Sequence, residues 1–167
     1  ARVVAATLEP GLTPRYEFSN ETWNPTFRAF HDLTAVAESM GLGGGDSYLG
    51  LQIRHGQRHA QTMKWVKAEF DLAQRPFVRV LAGQAANAWV LEQRLLVAAA
   101  NATTDEIAIA PYLGIPELNP FDSTDAAVLA AMSLSQIFGQ LANAQTPQVD
   151  SWTADHVALA ATFGKDL

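Results

Sequence analysis

Cysteine is absent from the 167 residues. Disulfides, a thiolate nucleophile and a Cys-ligated metal site are therefore excluded. Basic residues are scarce: 11 Lys and Arg stand against 17 Asp and Glu, a formal charge of −6. That balance argues against nucleic acid or an anionic membrane as a partner, because binding phosphates takes clustered Lys and Arg. No uninterrupted apolar run of about 18 residues occurs, so no membrane span is expected. Residues 1–12 lack the basic-then-apolar order of a signal peptide, as a mature or trimmed chain also would. Hydrophobic residues make up 49% of the chain, too many for a disordered segment. The length suits one domain with a real core, but falls short of the about 250 residues typical of a complete (β/α)8 barrel.

What is present is an alternation of strand-like and helix-like segments. The first short strand is expected at 15–19. Asn24-Pro25 then reads as a helix start, with Asn24 as cap and Pro25 in the first turn, where its missing N–H costs nothing. Phe27, Phe30, Leu33, Ala37 and Met40 recur at helical spacing as a buried stripe. Gly43 to Gly45 read as a flexible loop. A second helix is expected at 51–72 with Ala60, Met63, Val66 and Phe70 inward. The nearly continuous apolar run 77–82 reads as a strand buried on both faces. Helix 89–100, strand 106–110, helix 124–142 and a last helix from Asp150-Ser151 follow. Strands separated by helices imply an α/β fold with parallel pairing and right-handed crossovers. The reading is one partial, TIM-barrel-like domain over 1–167, with β/α units near 15–72, 77–100 and 106–164.

The most informative segment is Tyr16-Glu17-Phe18-Ser19-Asn20-Glu21-Thr22-Trp23-Asn24. A short strand ending in an amide and a carboxyl, with a helix behind it, is how a β/α barrel presents catalytic groups at the C-terminal mouth of its sheet. Later strands also run into polar or aromatic residues: Gln84 and Asn87 after the second, Tyr112 after the third. Trp23, Trp89 and Tyr112 can stack on sugar rings, whose C–H faces pack well on aromatics; burial at helix starts is an equal alternative. Gln84 and Asn87 can bond hydroxyls, or simply make a turn. His55 and His59 share a helix face at i and i+4, but no third ligand stands at a diagnostic spacing, so no metal is expected; the role is substrate-lining or structural, and His55 is placed among the substrate-lining residues. Glu17 reads as a partner of Arg79 on the neighbouring strand. Gly45-Asp46-Ser47 follows no strand and is discounted as an esterase elbow. Two sequons occur, at Asn20 and Asn101; a glycan on Asn20 conflicts with a place in an active site.

Beyond Ser-Asn-Glu-x-Trp-Asn, the chain carries Arg-His-Gly-Gln-Arg-His at 54–59, Val-Arg-Val-Leu-Ala-Gly-Gln-Ala-Ala-Asn-Ala-Trp at 78–89 and Ile-Ala-Ile-Ala-Pro-Tyr-Leu-Gly at 107–114. This series, covering most of the chain, is similar to a group of cellulase-like and cellulose-binding bacterial proteins with a clan-A-type glycoside hydrolase barrel. The resemblance implies that the three strands are the fourth to sixth of eight. It implies Glu21 as general acid/base, Asn20 as the group holding a sugar 2-hydroxyl, and a retaining mechanism with a nucleophilic Glu at the end of the seventh strand. The sequence ends about where that strand is expected to begin; Glu117 is the one in-chain substitute. Expected substrates are β-linked glucans, poly- or oligosaccharides, with no cofactor. A secreted or extracellular bacterial setting is implied. The other reading of the same ancestry is a non-catalytic carbohydrate-binding or scaffold fragment. Three of eight strands leave open sheet edges, an apolar inner face and an expectation of self-association.

Overall fold

Val78–Gly83 is the central strand, β2, and the rest is arranged about it. The computed structural model describes residues 1–19, 21–111 and 122–167, apart from the side chains of 143–147. β1 (Arg15–Glu17) and β3 (Glu106–Ile109) flank β2 in the order β1-β2-β3, both pairings parallel. The three strands lie where the apolar runs put them, in the expected order and sense. Asp166 makes a further parallel bridge to Glu106, with the Ile107 amide donating to the Asp166 carbonyl at 2.8 Å.

The strand period of two assigns the faces. Tyr16 lies opposite Arg79, and Leu81 opposite Ile107, so these four share one face. The helices cover that face. Tyr16 and Phe77 pack with Phe70 and Val66 of α3 (Ser47–Leu72) and with Ala5 of α1 (Arg2–Thr7). Leu81 and Ile107 pack with Leu91 and Leu95 of α4 (Ala88–Leu95) and Ala160 of α7 (Leu134–Phe163). α3 starts where Asp46 Oδ1 accepts the amides of Tyr48 and Leu49, both at 2.9 Å, and it buries Ala60, Met63, Val66 and Phe70 as its spacing predicts. Two glycines let the layers close. A Cβ on Gly56 would stand 2.9 Å from the Arg94 carbonyl, and one on Gly83 would stand 2.8 Å from Leu91 Cβ. Any other residue would push α4 off α3 and off the sheet.

Several boundaries differ from expectation for local reasons. Asn24 caps a turn rather than a helix: its side-chain oxygen accepts the Thr26 amide at 3.0 Å, and α2 begins only at Arg28–Ser39. Of its expected stripe only Ala37 is fully buried; Phe27 and Met40 are about half exposed. The triglycine lies in a 3₁₀ turn, Leu42–Gly45. Helix 89–100 divides into α4 and α5 (Ala98–Ala102). Helix 124–142 divides into α6 (Ser123–Ala131) and α7, because Ser133 and Gln136 form a reciprocal capping box that starts a new helix. Asp150 and Ser151 lie inside α7.

The other sheet face is mixed: Val78, Val80, Ala82 and Ala108 share it with charged side chains, and Val80 and Ala82 are buried. Arg15 and Glu17 alternate onto it, and the Arg15 guanidinium spans β2 to bond both Glu106 oxygens at 2.7 and 3.1 Å. Glu17 and Arg79 point to opposite faces, so Arg79 pairs with Asp105 instead. Exposed apolar side chains are spread over the molecule, among them Val3, Trp65, Leu72 and Leu96 as well as Val128, Leu134 and Phe138 on the last helices. Among the described residues no helix is long and apolar enough to cross a membrane.

Candidate functional site

Glu21 follows β1, Gln84 follows β2 and Ala110 follows β3, and all three line one cleft of about 330 Å³ at the C-terminal edge of the sheet. Trp23 and Asn24 come from the turn after β1. Tyr48 comes from the first turn of α3 and Trp152 from α7. Three aromatic rings, two side-chain amides and one carboxyl thus face the same space. Asn24 Nδ2 donates to Glu21 Oε2 at 3.2 Å. Tyr48 stacks on Trp89, with centroids 5.9 Å apart and planes 12° from parallel. Burial pushes the Tyr48 hydroxyl up, and the Arg94 charge partly opposes it.

The Glu21 backbone is left-handed, with φ of 51°. For a residue with a Cβ that conformation costs about 1–2 kcal/mol and persists only where neighbours enforce it. The enforcement lies next door. Thr22 is fully buried, and the Asn24 amide donates to the Glu21 carbonyl at 3.0 Å, closing a turn. Thr22 Oγ1 accepts from Arg94 Nη2 at 2.9 Å. Arg94 is itself 0% exposed; its Nε donates to Gln52 Oε1 and its Nη1 to the Ala82 carbonyl, both at 2.8 Å. Its Cζ stands 5.3 Å from the centroid of the Trp23 ring, a cation–π arrangement. Burial pulls the Arg94 guanidinium down to about 9, against the attraction of Tyr48 and Glu17, so it is charged at neutral pH.

His55 belongs to this network and not to the cleft wall, which corrects its expected substrate-lining role. It is 1% exposed, with Nδ1 2.7 Å from Thr22 Oγ1 and Nε2 3.4 Å from Arg94 Nη1. An Nε2 facing a guanidinium N–H must accept, which assigns the proton to Nδ1, donating to Thr22. Burial first, then Arg94 and His59, push His55 well below its ordinary value. His59 lies one turn on, with Nε2 3.0 Å from Thr104 Oγ1 and 3.3 Å from the Thr103 carbonyl. Burial pulls it down to about 4. Both imidazoles are neutral structural groups at pH 7.

Of the expected site residues, the fold brings Glu21, Trp23 and Gln84 together on the cleft. Trp89 contributes through its stack on Tyr48 and is 38% exposed. Asn87 is not on the cleft wall; it occupies the N-cap position of α4, and its amide closes a turn onto the Gln84 carbonyl at 3.1 Å. Asn20, Tyr112 and Glu117 lie outside the described residues. Tyr48, Asn24, Trp152 and the Arg94–Thr22 pair were not foreseen. Asn24 had a signal, since Asn before Pro favours a turn as readily as a helix cap. Glu21 is the only carboxyl among the described residues that line the cleft. Among the described residues no group of three or more His, Asp and Glu side chains comes together as a metal site. Compared with known proteins, the chain matches no family model, no curated protein and no solved structure.

Proposed function

We propose that the cleft binds a β-linked glucan and that Glu21 is the acid/base of its hydrolysis. One observation carries this reading: a carboxyl on a strained turn shares one cleft with the rings of Trp23, Tyr48 and Trp152 and the amides of Asn24 and Gln84. Rings take the C–H faces of sugars, amides bond hydroxyls, and a carboxyl beside the scissile bond protonates the leaving oxygen. On this reading the three βα units are the fourth to sixth of an eight-stranded barrel. A retaining mechanism needs a nucleophilic carboxyl about 5–5.5 Å from Glu21, which the resemblance assigns to the end of a seventh strand. A polymeric substrate fits a secreted protein, and open sheet edges fit self-association.

The second reading is a carbohydrate-binding fragment without turnover. It is favoured by the single carboxyl among the described lining residues. Calorimetric titration with cello-oligosaccharides, beside a turnover assay on aryl β-glucosides, separates the two. Binding with turnover supports the hydrolase, and binding without turnover supports the fragment. Trp152→Ala is expected to weaken binding about tenfold, the loss of one stacking surface. No binding at millimolar oligosaccharide contradicts both.

A further inference from the structure

We propose that Arg94 is a positioning residue for Glu21. Its guanidinium, bonded to the Thr22 hydroxyl on one side and the Ala82 carbonyl on the other, ties the turn after β1 to the end of β2 and holds Glu21 left-handed with its carboxyl in the cleft. The inference rests on the reading of Glu21 as acid/base, but its structural half stands without it.

The geometry is specific. Nη2 reaches Thr22 at 2.9 Å, Nη1 reaches the Ala82 carbonyl at 2.8 Å, and Nε reaches Gln52 at 2.8 Å. Thr22 directly follows Glu21, and Ala82 ends one residue short of the close of β2. A planar fork with fixed N–H directions sets the distance between the two strand ends in a way a flexible Lys cannot. Arg94 meets the cleft lining at the Trp23 ring. It sits under the turn and acts through Thr22. His55 bonds the same hydroxyl at 2.7 Å and keeps it from rotating away. A salt bridge would have served the charge better; among the described residues its bonded partners are neutral, as a structural link rather than an ion pair requires.

The test uses Thr22→Val, which keeps the shape and removes the acceptor, with Thr22→Ala as a second variant that leaves room for a water on Arg94. Thr22→Ser keeps the hydroxyl. On an aryl β-glucoside, Thr22→Val and Thr22→Ala are expected to lower kcat about 10–100-fold with KM changed less than about twofold, and Thr22→Ser to restore kcat. Unchanged kcat in both hydroxyl-free variants overturns the proposal, as does a loss that Thr22→Ser fails to restore. The second arm needs no turnover. Glu21→Gly relieves the left-handed strain, so its effect on the unfolding midpoint is expected to be more favourable in the wild-type background than beside Thr22→Val, by about 2–4 °C. Equal shifts in the two backgrounds overturn the positioning role whatever the activity. A difference of the expected size in a protein without turnover supports the positioning and rejects Glu21 as an acid.

Discussion

Two guanidinium groups mark opposite ends of the sheet. Arg94, at the C-terminal edge, is fully buried and bonded to neutral partners. Arg15, on the mixed face at the start of β1, is 63% exposed and grips both oxygens of Glu106. The pair with the carboxylate is the one that matters less. An exposed ion pair gains little over hydration and is screened by salt. A buried cation has already lost its water, and every bond it makes is costly to break. The difference follows the division of labour in parallel α/β sheets, in which C-terminal strand ends carry chemistry and N-terminal ends carry stability. The charged pairs Arg15–Glu106 and Arg79–Asp105 serve the second end, and the neutral cage of Arg94 serves the first.

The largest expected effect that sharpens this contrast is on Arg94. Arg94→Met keeps the bulk but removes the donors to the Ala82 carbonyl and Gln52, leaves Thr22 with His55 alone, and is expected to cost about 3–5 kcal/mol in denaturant unfolding. A loss below about 1 kcal/mol would contradict a structural role for the buried cation. Next is the pH response of the buried imidazoles. His59 is pulled down to about 4, and His55 is pushed well below its ordinary value of 6.5. The unfolded chain therefore takes up protons below about pH 6.5 that the folded chain refuses. Stability is fully present above that pH and is lost as pH falls towards 4, by about 3 kcal/mol for His59 alone. His59→Gln should remove that share of the slope, measured as unfolding free energy from pH 7 to 4. An unaltered slope contradicts the assignment of a neutral, buried His59. The smallest effect is on Arg15. Arg15→Gln is expected to leave the unfolding midpoint close to wild type at physiological salt, and any shift seen at low salt should vanish as salt is raised.

The sequence made the sheet legible and the cage illegible. Strands 78–83 and 106–109 stand out as apolar runs because β2 buries side chains on both faces, Leu81 on one and Val80 and Ala82 on the other, and the C-terminal position of Glu21, Trp23 and Gln84 follows from strand ends alone. Arg94 sits in Glu92-Gln93-Arg94, a run of polar residues that reads as the solvated side of a helix. Only the close approach permitted by Gly56, thirty-eight positions earlier, turns it inward. Tyr48 and Trp152 reach the cleft from helices far apart in the chain, and no local spacing records that meeting. The division of the long C-terminal helix was hidden in Ser133 and Gln136, whose capping box interrupts an otherwise continuous apolar pattern. The ion pair on the other sheet face was hidden for a different reason. Arg15 and Glu106 are 91 positions apart, and only the strand register makes them neighbours across β2.

The proposed function has Glu21 donate the proton to the leaving oxygen. Its most direct test is Glu21→Gln assayed on two aryl β-glucosides, one with a poor leaving group and one with dinitrophenolate, which departs without protonation. A loss of about 10²–10⁴-fold is expected on the poor leaving group and a much smaller loss on the good one. Equal losses on both, or none on the poor leaving group, would contradict it.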